Sequence, residues 1–195
     1  MLDDAEAIET ALRGVLLAPD QAVALDLPGV AEAAVLVPLF VEDGDLRVVF
    51  TLRRDDLRRH PGEISFPGGR RDPEDADLLA TALREAWEEI GLAAGAVEVV
   101  GALQPTSTFV TSYSIHPFVG VVAPGSHWTA QATEVAAVIE LPLLALAAGY
   151  ARRRISRRGV PIRTDTYVVG EHLIWGATAR ILADLLDRVS LLPGP

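Results

Sequence analysis

Residues 66–92 are the most informative stretch of the chain: they read FPGGRRDPEDADLLATALREAWEEIGL, a glycine-rich loop followed by an amphipathic segment. The apolar positions of this segment recur at helical spacing, which predicts a helix over residues 76–90. These positions are Leu79, Leu83, Ala86 and Ile90. Gly91 follows the last of them and is predicted to cap the C-terminus of the helix.

Three glutamates, Glu85, Glu88 and Glu89, stand on this helix at i, i+3 and i+4. This spacing puts their carboxylates on one face, where like charges repel unless a cation or an arginine lies among them. Hard oxygen ligands suit Mg²⁺ or Mn²⁺, so we expect the three glutamates to hold one of these metals. Arg84 is expected to pair with one carboxylate and fix its orientation.

The loop before the helix contains Gly68 and Gly69. A backbone without Cβ atoms can approach a ligand or a metal closely, so both glycines are candidate substrate-binding positions. An exposed helix face with solvated glutamates is the alternative, but it explains neither the glycine loop nor the Arg84–Glu85 pair. Composition and spacing therefore predict a metal site with room for an anion.

In the rest of the chain, apolar stretches of helical and of strand spacing do not alternate regularly. Helices are predicted over residues 4–17, 142–149 and 176–189. Strands are predicted over residues 33–41, 46–53, 64–66, 97–104, 115–123, 134–140 and 164–169. A loop is predicted through Pro19 and Pro28. This order favours an α+β class, an α/β sandwich, in a single domain over residues 1–195.

The net charge of −10 argues against nucleic-acid binding, which needs a basic footprint. No apolar run approaches the roughly 18 residues of a membrane span, and the acidic N-terminus lacks the order of a signal peptide. The chain has no cysteine, which excludes disulfides and thiolate metal sites. We therefore expect a cytoplasmic protein without a membrane partner, as a monomer or a homodimer.

All 17 basic residues are arginines, and two groups of them are clustered. One cluster contains Arg53, Arg54, Arg58 and Arg59, and the other contains Arg152, Arg153, Arg154, Arg157 and Arg158. Guanidinium groups suit bidentate phosphate recognition, so this acidic protein can still take a small anionic ligand. The second cluster either lies over the mouth of a substrate site or, as we favour, forms a solvated basic loop.

The stretch REAWEEIGL at Arg84–Leu92, with Gly69 upstream, resembles the signature box of the Nudix hydrolase superfamily. The common form of that box is Gly, five residues, Glu, seven residues, then Arg-Glu-apolar-x-Glu-Glu-x-Gly-apolar. Here Asp75 follows Gly69 after five positions, and eight residues then precede Arg84. Counting back from Arg84, Ala76 holds the early Glu position, so the early acidic residue is displaced or missing.

The segment Leu57–Gly69, LRRHPGEISFPGG, resembles the motif of the coenzyme A pyrophosphatase branch of that superfamily, whose members share the extra residue in the box. Glu63 occupies the usual Gln position, and Arg54 stands where the branch usually has Ser. The segments Ile115–Gly120 and Ile174–Ala179 are similar to further features of the branch.

The resemblance implies a Nudix fold, with a mixed β-sheet between helices, and a coenzyme A type nucleotide as substrate. The implied reaction is metal-dependent hydrolysis of coenzyme A to 3′,5′-ADP and 4′-phosphopantetheine. An alternative is a Nudix hydrolase for another nucleoside diphosphate compound, such as ADP-ribose or NADH. A non-catalytic binding module with the same fold is a further alternative, against which the presence of all three glutamates argues.

The catalytic roles are assigned as a hypothesis. Glu85 and Glu89 are the primary metal ligands, and Glu88 is a third ligand or a proton acceptor. Arg84 orients Glu85 or Glu89. A base on a distant loop is also known in the superfamily, and Glu134 is the candidate here, with a solvated strand end as its other interpretation.

Recognition of the substrate phosphates is assigned to Arg58, Arg59 and His60 in the branch motif. Alternatively, the two arginines cover loop surface and His60 makes a structural hydrogen bond. Phe66 and Phe109 could stack on adenine, although apolar packing is the preferred interpretation for Phe66, as it is for Trp175.

Overall fold

A large mixed β-sheet forms the centre of the fold, which confirms the predicted α+β class. The computed structural model describes residues 5–25, 31–57, 60–108, 113–157 and 160–192. The helices in this part of the chain are α1 (Ala5–Val15), α2 (Pro19–Ala24), α3 (Leu78–Ile90), α4 (Leu143–Ala148) and α5 (Gly176–Val189), with a 3₁₀ turn at Ala94–Ala96. Within the same residues, no helix is long and apolar enough to span a membrane.

Among the described residues, the large sheet contains eight strands. They are β1 (Ala31–Glu42), β2 (Asp45–Arg53), β3 (Ile64–Ser65), β4 (Gly68–Arg70), β5 (Glu98–Ala102), β6 (Thr106–Ser107), β7 (Tyr113–Val121) and β8 (Val135–Pro142). The main order is β3-β2-β1-β7-β5, while β4 pairs with β1, β6 with β7 and β8 with β2. Only the β1–β7 pair is parallel among the described strands, which makes the sheet mixed.

Alternate residues of β1 enter two different apolar clusters on the two faces of the sheet. Val37 and Leu39 join the cluster that contains side chains of α1 and α5. Leu36 and Phe40 join the cluster that contains the apolar stripe of α3. The sheet therefore lies between helices, and α3 is held against one face by its own buried residues, which are Leu78, Ala82, Ala86 and Ile90.

The helix α3 begins two residues later than the sequence predicts, because Asp77 caps it. The Asp77 carboxylate accepts a hydrogen bond from the Ala80 N–H at 2.7 Å. Gly91 ends the helix in the left-handed region, with φ of 71°, as predicted for a C-terminal glycine cap. Both ends are thus capped, and the packing of the apolar stripe on the sheet sets the direction in which the glutamate face points.

A second sheet, of three strands, corrects the interpretation of the arginine-rich stretch as a loop. Its strands are β9 (Tyr150–Arg157), β10 (Val160–Val169) and β11 (His172–Trp175), in the order β11-β10-β9. The exposed residues Arg152–Arg154 lie on β9, which pairs with β10 along its length. Charged side chains on such an edge strand discourage pairing with other chains.

Several short elements were not anticipated, namely α2, β4, β6 and β11. The predicted loop at Pro19 is instead the helix α2, in which Pro19 occupies the first turn, where a backbone N–H is not needed. The strand β4 follows directly from the Phe66-Pro67 segment and pairs with β1 through residues 68–70. Phe66 is buried and stacks on Phe50 at 4.8 Å between ring centroids, so it packs in the core as preferred.

Candidate active site

The three glutamates of α3 differ strongly in exposure. The Glu88 side chain is 53% exposed, that of Glu85 is 18% exposed, and that of Glu89 is 8% exposed. The helical spacing puts Glu85 and Glu89 on the side that faces β4, and Glu88 beside them toward solvent. Glu85 and Glu89 are therefore the carboxylates that the fold encloses.

Glu89 is a buried carboxylate with few compensating partners. Burial raises its pKa to about 7, and the nearby carboxylates of Glu85 and Glu134 act in the same direction. The Gly68 N–H donates to its Oε2 atom at 3.2 Å, and Arg53 Nη1 lies 3.8 Å from its Oε1 atom. These two contacts only partly offset the loss of water, so this position favours a further cation.

The glycine loop lies directly against the glutamate face. A Cβ atom on Gly69 would stand 2.3 Å from Oε1 of Glu85, so only glycine leaves room for that carboxylate. A Cβ atom on Gly68 would stand 2.4 Å from the backbone oxygen of Ala34 in β1. The two glycines were predicted to allow a close approach of the backbone. They allow the backbone of β4 to pack directly against Glu85 of α3 and against β1.

Arg84 connects the early acidic residue to the glutamates. Its Nε and Nη2 atoms donate to the two carboxylate oxygens of Asp75 at 2.9 and 3.0 Å. Its Nη1 atom donates to Glu85 at 3.0 Å and to Glu88 at 3.1 Å, and Nη2 also donates to the carbonyl of Arg70. Asp75 therefore holds the guanidinium that contacts Glu85 and Glu88.

The Arg84 guanidinium holds the pKa of Asp75 well below its usual range. We expect Asp75→Asn to lower the free energy of unfolding by about 2 kcal/mol at pH 7, because a largely buried ion pair loses one partner. A depressed pKa stabilises the fold above the unfolded-state pKa of about 4, and this contribution fades as the pH falls below that value. In urea titrations, the difference in free energy of unfolding between the variant and the wild type should therefore be smaller at pH 3 than at pH 7.

The control is Glu32→Gln, which removes an exposed partner of Arg71. It should change the free energy of unfolding by less than about 0.5 kcal/mol. An Asp75→Asn variant as stable as this control would contradict the structural role of the Asp75–Arg84 pair.

Glu134 is brought to the same site from a distant segment. Arg53 lies between the two carboxylates: its Nη1 atom is 3.8 Å from Glu89, and its Nη2 atom is 3.6 Å from Glu134. Arg53 was not recognised as a site residue from the sequence. No local signal in the sequence identified it. The structure shows that Val49 of β2 packs in the same apolar cluster as α3, and Arg53 shares that face because alternate residues of a strand point to one side.

His60 contacts a neighbour in its own loop. Its Nδ1 atom lies 2.6 Å from Oε2 of Glu63, the residue that replaces the usual Gln of the branch motif. His60 adopts φ of 53°, in the left-handed region. Its structural hydrogen bond is thus present, while its predicted neighbours Arg58 and Arg59 lie outside the described residues, as do Phe109 and Arg158.

The donor atoms of the site suit a hard divalent cation, although the side chains do not form a closed set of ligands. Among the residues that the structure describes, no three acidic or histidine side chains converge closely enough to enclose a metal ion. The carboxylates of Glu85 and Glu89 are available on one face, and burial raises the pKa of both. Carboxylate oxygens of this kind could hold Mg²⁺ or Mn²⁺ together with oxygen atoms of a bound small molecule.

Comparison with known proteins identifies the family of the chain. Residues 31–157 match the NUDIX domain family. The chain is 39% identical over 165 residues to an uncharacterized Nudix hydrolase NudL from Enterobacter sp. (strain 638), covering 83% of this chain and 84% of that protein. The matched residues include the large sheet, the carboxylate helix and the glycine loop, and the chain belongs to the Nudix hydrolase family.

Two solved structures show the same fold at low sequence identity. A Nudix hydrolase from M. smegmatis, RenU, aligns with a TM-score of 0.59 and 16% identity, covering 85% of this chain and 89% of the other. A MutT/nudix family protein from Enterococcus faecalis aligns with a TM-score of 0.58 and 13% identity, covering 97% and 76%. As a family, Nudix hydrolases cleave diphosphate bonds of nucleoside diphosphate derivatives and generally need divalent metal ions such as Mg²⁺ or Mn²⁺.

Proposed function

We propose that this Nudix hydrolase cleaves the diphosphate bond of coenzyme A or its derivatives, releasing 3′,5′-ADP and 4′-phosphopantetheine. One observation supports the proposal above all. The backbone of Gly68 and Gly69, which ends the coenzyme A type motif, lies directly on Glu89 and Glu85 of the Nudix box. The motif that suggests the substrate and the helix that suggests the reaction therefore belong to one site.

The proposed metal ligands are Glu85 and Glu89, with Glu88 as a third. Glu88 is exposed and accepts a hydrogen bond from the same Nη1 atom of Arg84 that donates to Glu85, so it lies on the same side of the helix as that ligand. When bound, Mg²⁺ or Mn²⁺ offsets the charge of the substrate diphosphate and makes a water molecule more acidic. The two carboxylates whose pKa is raised by burial are the ones that gain most from this cation.

The remaining residues are proposed to orient a metal ligand, accept a proton, reduce repulsion between carboxylates or bind the substrate phosphates. Arg84, held by Asp75, keeps the Glu85 carboxylate in place. Glu134 is the proposed base that takes a proton from the attacking water. Arg53 stands between Glu89 and Glu134 and limits the repulsion between them in the absence of substrate. Contacts to substrate phosphates are assigned to Arg58, Arg59 and His60.

A substrate panel tests the proposal. The protein is incubated with Mg²⁺ or Mn²⁺ and with coenzyme A, dephospho-coenzyme A, ADP-ribose or NADH, and the products are separated by chromatography. We expect kcat/KM for coenzyme A to exceed those for ADP-ribose and NADH by more than about tenfold. Dephospho-coenzyme A differs only by the 3′-phosphate, so it measures what arginine contacts to that group contribute.

Faster cleavage of ADP-ribose or NADH than of coenzyme A would reject the proposed substrate and favour another nucleoside diphosphate. Failure to cleave any of the four compounds would instead favour a binding module that keeps the fold. Equal rates with coenzyme A and dephospho-coenzyme A would agree with the proposed reaction but would contradict the proposed recognition of the 3′-phosphate.

A further inference from the structure

The segment that carries Glu134, residues 129–134, lies on the surface of the site without apolar support. All six of its residues are exposed, so burial of side chains contributes little to its position. A segment of this kind is held by its hydrogen bonds, and it opens easily when they are lost. The contacts that fix it therefore decide where the Glu134 carboxylate stands.

One side of the segment is tied to the C-terminus of α3 through backbone groups. The Thr129 N–H donates to the carbonyl of Ile90 at 2.9 Å, and the Gln131 N–H donates to the carbonyl of Glu89 at 2.9 Å. These bonds satisfy two carbonyls that the helix leaves without intrahelical partners. They also link the segment directly to the residue whose side chain is the buried carboxylate of the site.

The other side of the segment is tied to Arg54, immediately after β2. The Arg54 N–H donates to the carbonyl of Glu134 at 3.0 Å, and its Nη1 atom donates to the carbonyl of Ala132 at 2.8 Å. The same guanidinium is held by Asp56, to which Nε and Nη2 donate at 2.9 and 2.8 Å. The bidentate pair fixes the guanidinium plane, so its remaining donor points at the segment.

We propose that Arg54, oriented by Asp56, is a positioning residue that holds residues 129–134 in place and thereby keeps Glu134 beside Glu89. An exposed ion pair such as Arg54–Asp56 contributes little stability by itself. Its function here is geometric, because it aims a third hydrogen bond at a backbone carbonyl two residues before Glu134. The inference rests on the proposed catalytic role of Glu134.

Hydrogen exchange tests the positioning independently of catalysis. In Arg54→Ala, we expect the amides of Thr129 and Gln131 to exchange about tenfold faster than in the wild type, because the segment loses a charged hydrogen-bond donor. Arg54→Lys keeps a donor for the Ala132 carbonyl without the bidentate pair, and it should restore part of the protection. Unchanged exchange in Arg54→Ala overturns the proposal.

The matched control is Arg13→Ala. Arg13 makes an ion pair of similar exposure with Glu98, which joins α1 to β5 away from the site. Its removal should leave both exchange in residues 129–134 and turnover unchanged. Accelerated exchange in this control as well would show a general loosening of the fold and would overturn a specific role for Arg54.

A double-mutant cycle connects the positioning to turnover. Arg54→Ala should lower kcat about tenfold with KM changed less than about twofold, and it should lower kcat no further in a Glu134→Gln background. Independent, multiplicative losses would overturn the inference that Arg54 acts through Glu134. If Glu134→Gln alone keeps wild-type kcat, the proposed role of Glu134 fails, and the exchange experiment alone decides whether Arg54 holds the segment.

Discussion

Replacing Glu89 with glutamine is expected to lower kcat by more than about a hundredfold while the fold stays intact. The glutamine oxygen can still accept the hydrogen bond that the Gly68 N–H gives to the carboxylate. The variant lacks the charge that would bind the metal, so turnover falls. Steady-state kinetics on the diphosphate substrate measures the loss, and retained turnover above about a tenth of wild type would contradict the assigned role of Glu89.

Thermal stability provides a second measurement on the same variant. Here we expect a gain in stability, in contrast to the loss of turnover. Burial raises the pKa of Glu89 to about 7, above its usual value of 4.5. An acid with a raised pKa destabilises the fold increasingly between these two values and fully above the higher one. Without metal at pH 8, Glu89→Gln should therefore melt at a higher temperature than the wild type, and the difference should vanish near pH 4.

The control for Glu89→Gln is Glu42→Gln, which removes an exposed carboxylate that pairs with Arg47. It should leave kcat unchanged and show no stabilisation at pH 8. A Glu89→Gln variant that melts below the wild type at pH 8 without metal would mean that its carboxylate is well compensated in the fold, contrary to the raised pKa.

Replacing Gly69 with alanine is expected to lower kcat by about a hundredfold with little loss of stability. The new Cβ atom would stand 2.3 Å from Oε1 of Glu85, so the carboxylate must move away. It lies at the end of a flexible side chain, and its displacement therefore leaves the backbone in place. A shift of about 1 Å in a catalytic group can reduce the rate a hundredfold.

Gly95→Ala is the matched control for Gly69→Ala, because nothing lies within 4 Å of the Cβ atom that it adds. Steady-state kinetics and thermal unfolding are measured on both variants. The control should keep wild-type kcat, whereas Gly69→Ala should lose activity at a nearly unchanged melting temperature. Wild-type kcat in Gly69→Ala would show that the position of Glu85 against β4 does not matter for turnover.

Local patterns in the sequence predicted most of the secondary structure. The predicted helix over residues 76–90 is α3, Leu78–Ile90, since its apolar stripe and its glycine cap are both local signals. The arginine-rich β9 was wrongly interpreted as a loop. Its strand form comes from pairing with β10, a contact between chain segments that side-chain polarity does not reveal.

The candidate site was only partly visible in the sequence. Glu85, Glu88 and Glu89 could be grouped because helical spacing alone puts them together. Their different burial could not be predicted, because it depends on how β4 lies against α3. Arg53 was assigned only to an arginine cluster, since its approach to Glu89 and Glu134 requires β2 and a segment about 80 residues later to meet.

The Nudix box and the helix that carries the glutamates could be recognised from the sequence alone, because these features depend on neighbouring residues and on helical period. The sequence left open whether the early acidic residue of the box is displaced to Asp75 or missing. The assembled fold was needed to show that Asp75 holds Arg84 and that Glu89 is the most buried of the three glutamates. Packing of distant strands removes water from one glutamate and leaves another exposed. Burial and electrostatic environment follow from the assembled fold rather than from spacing along the chain.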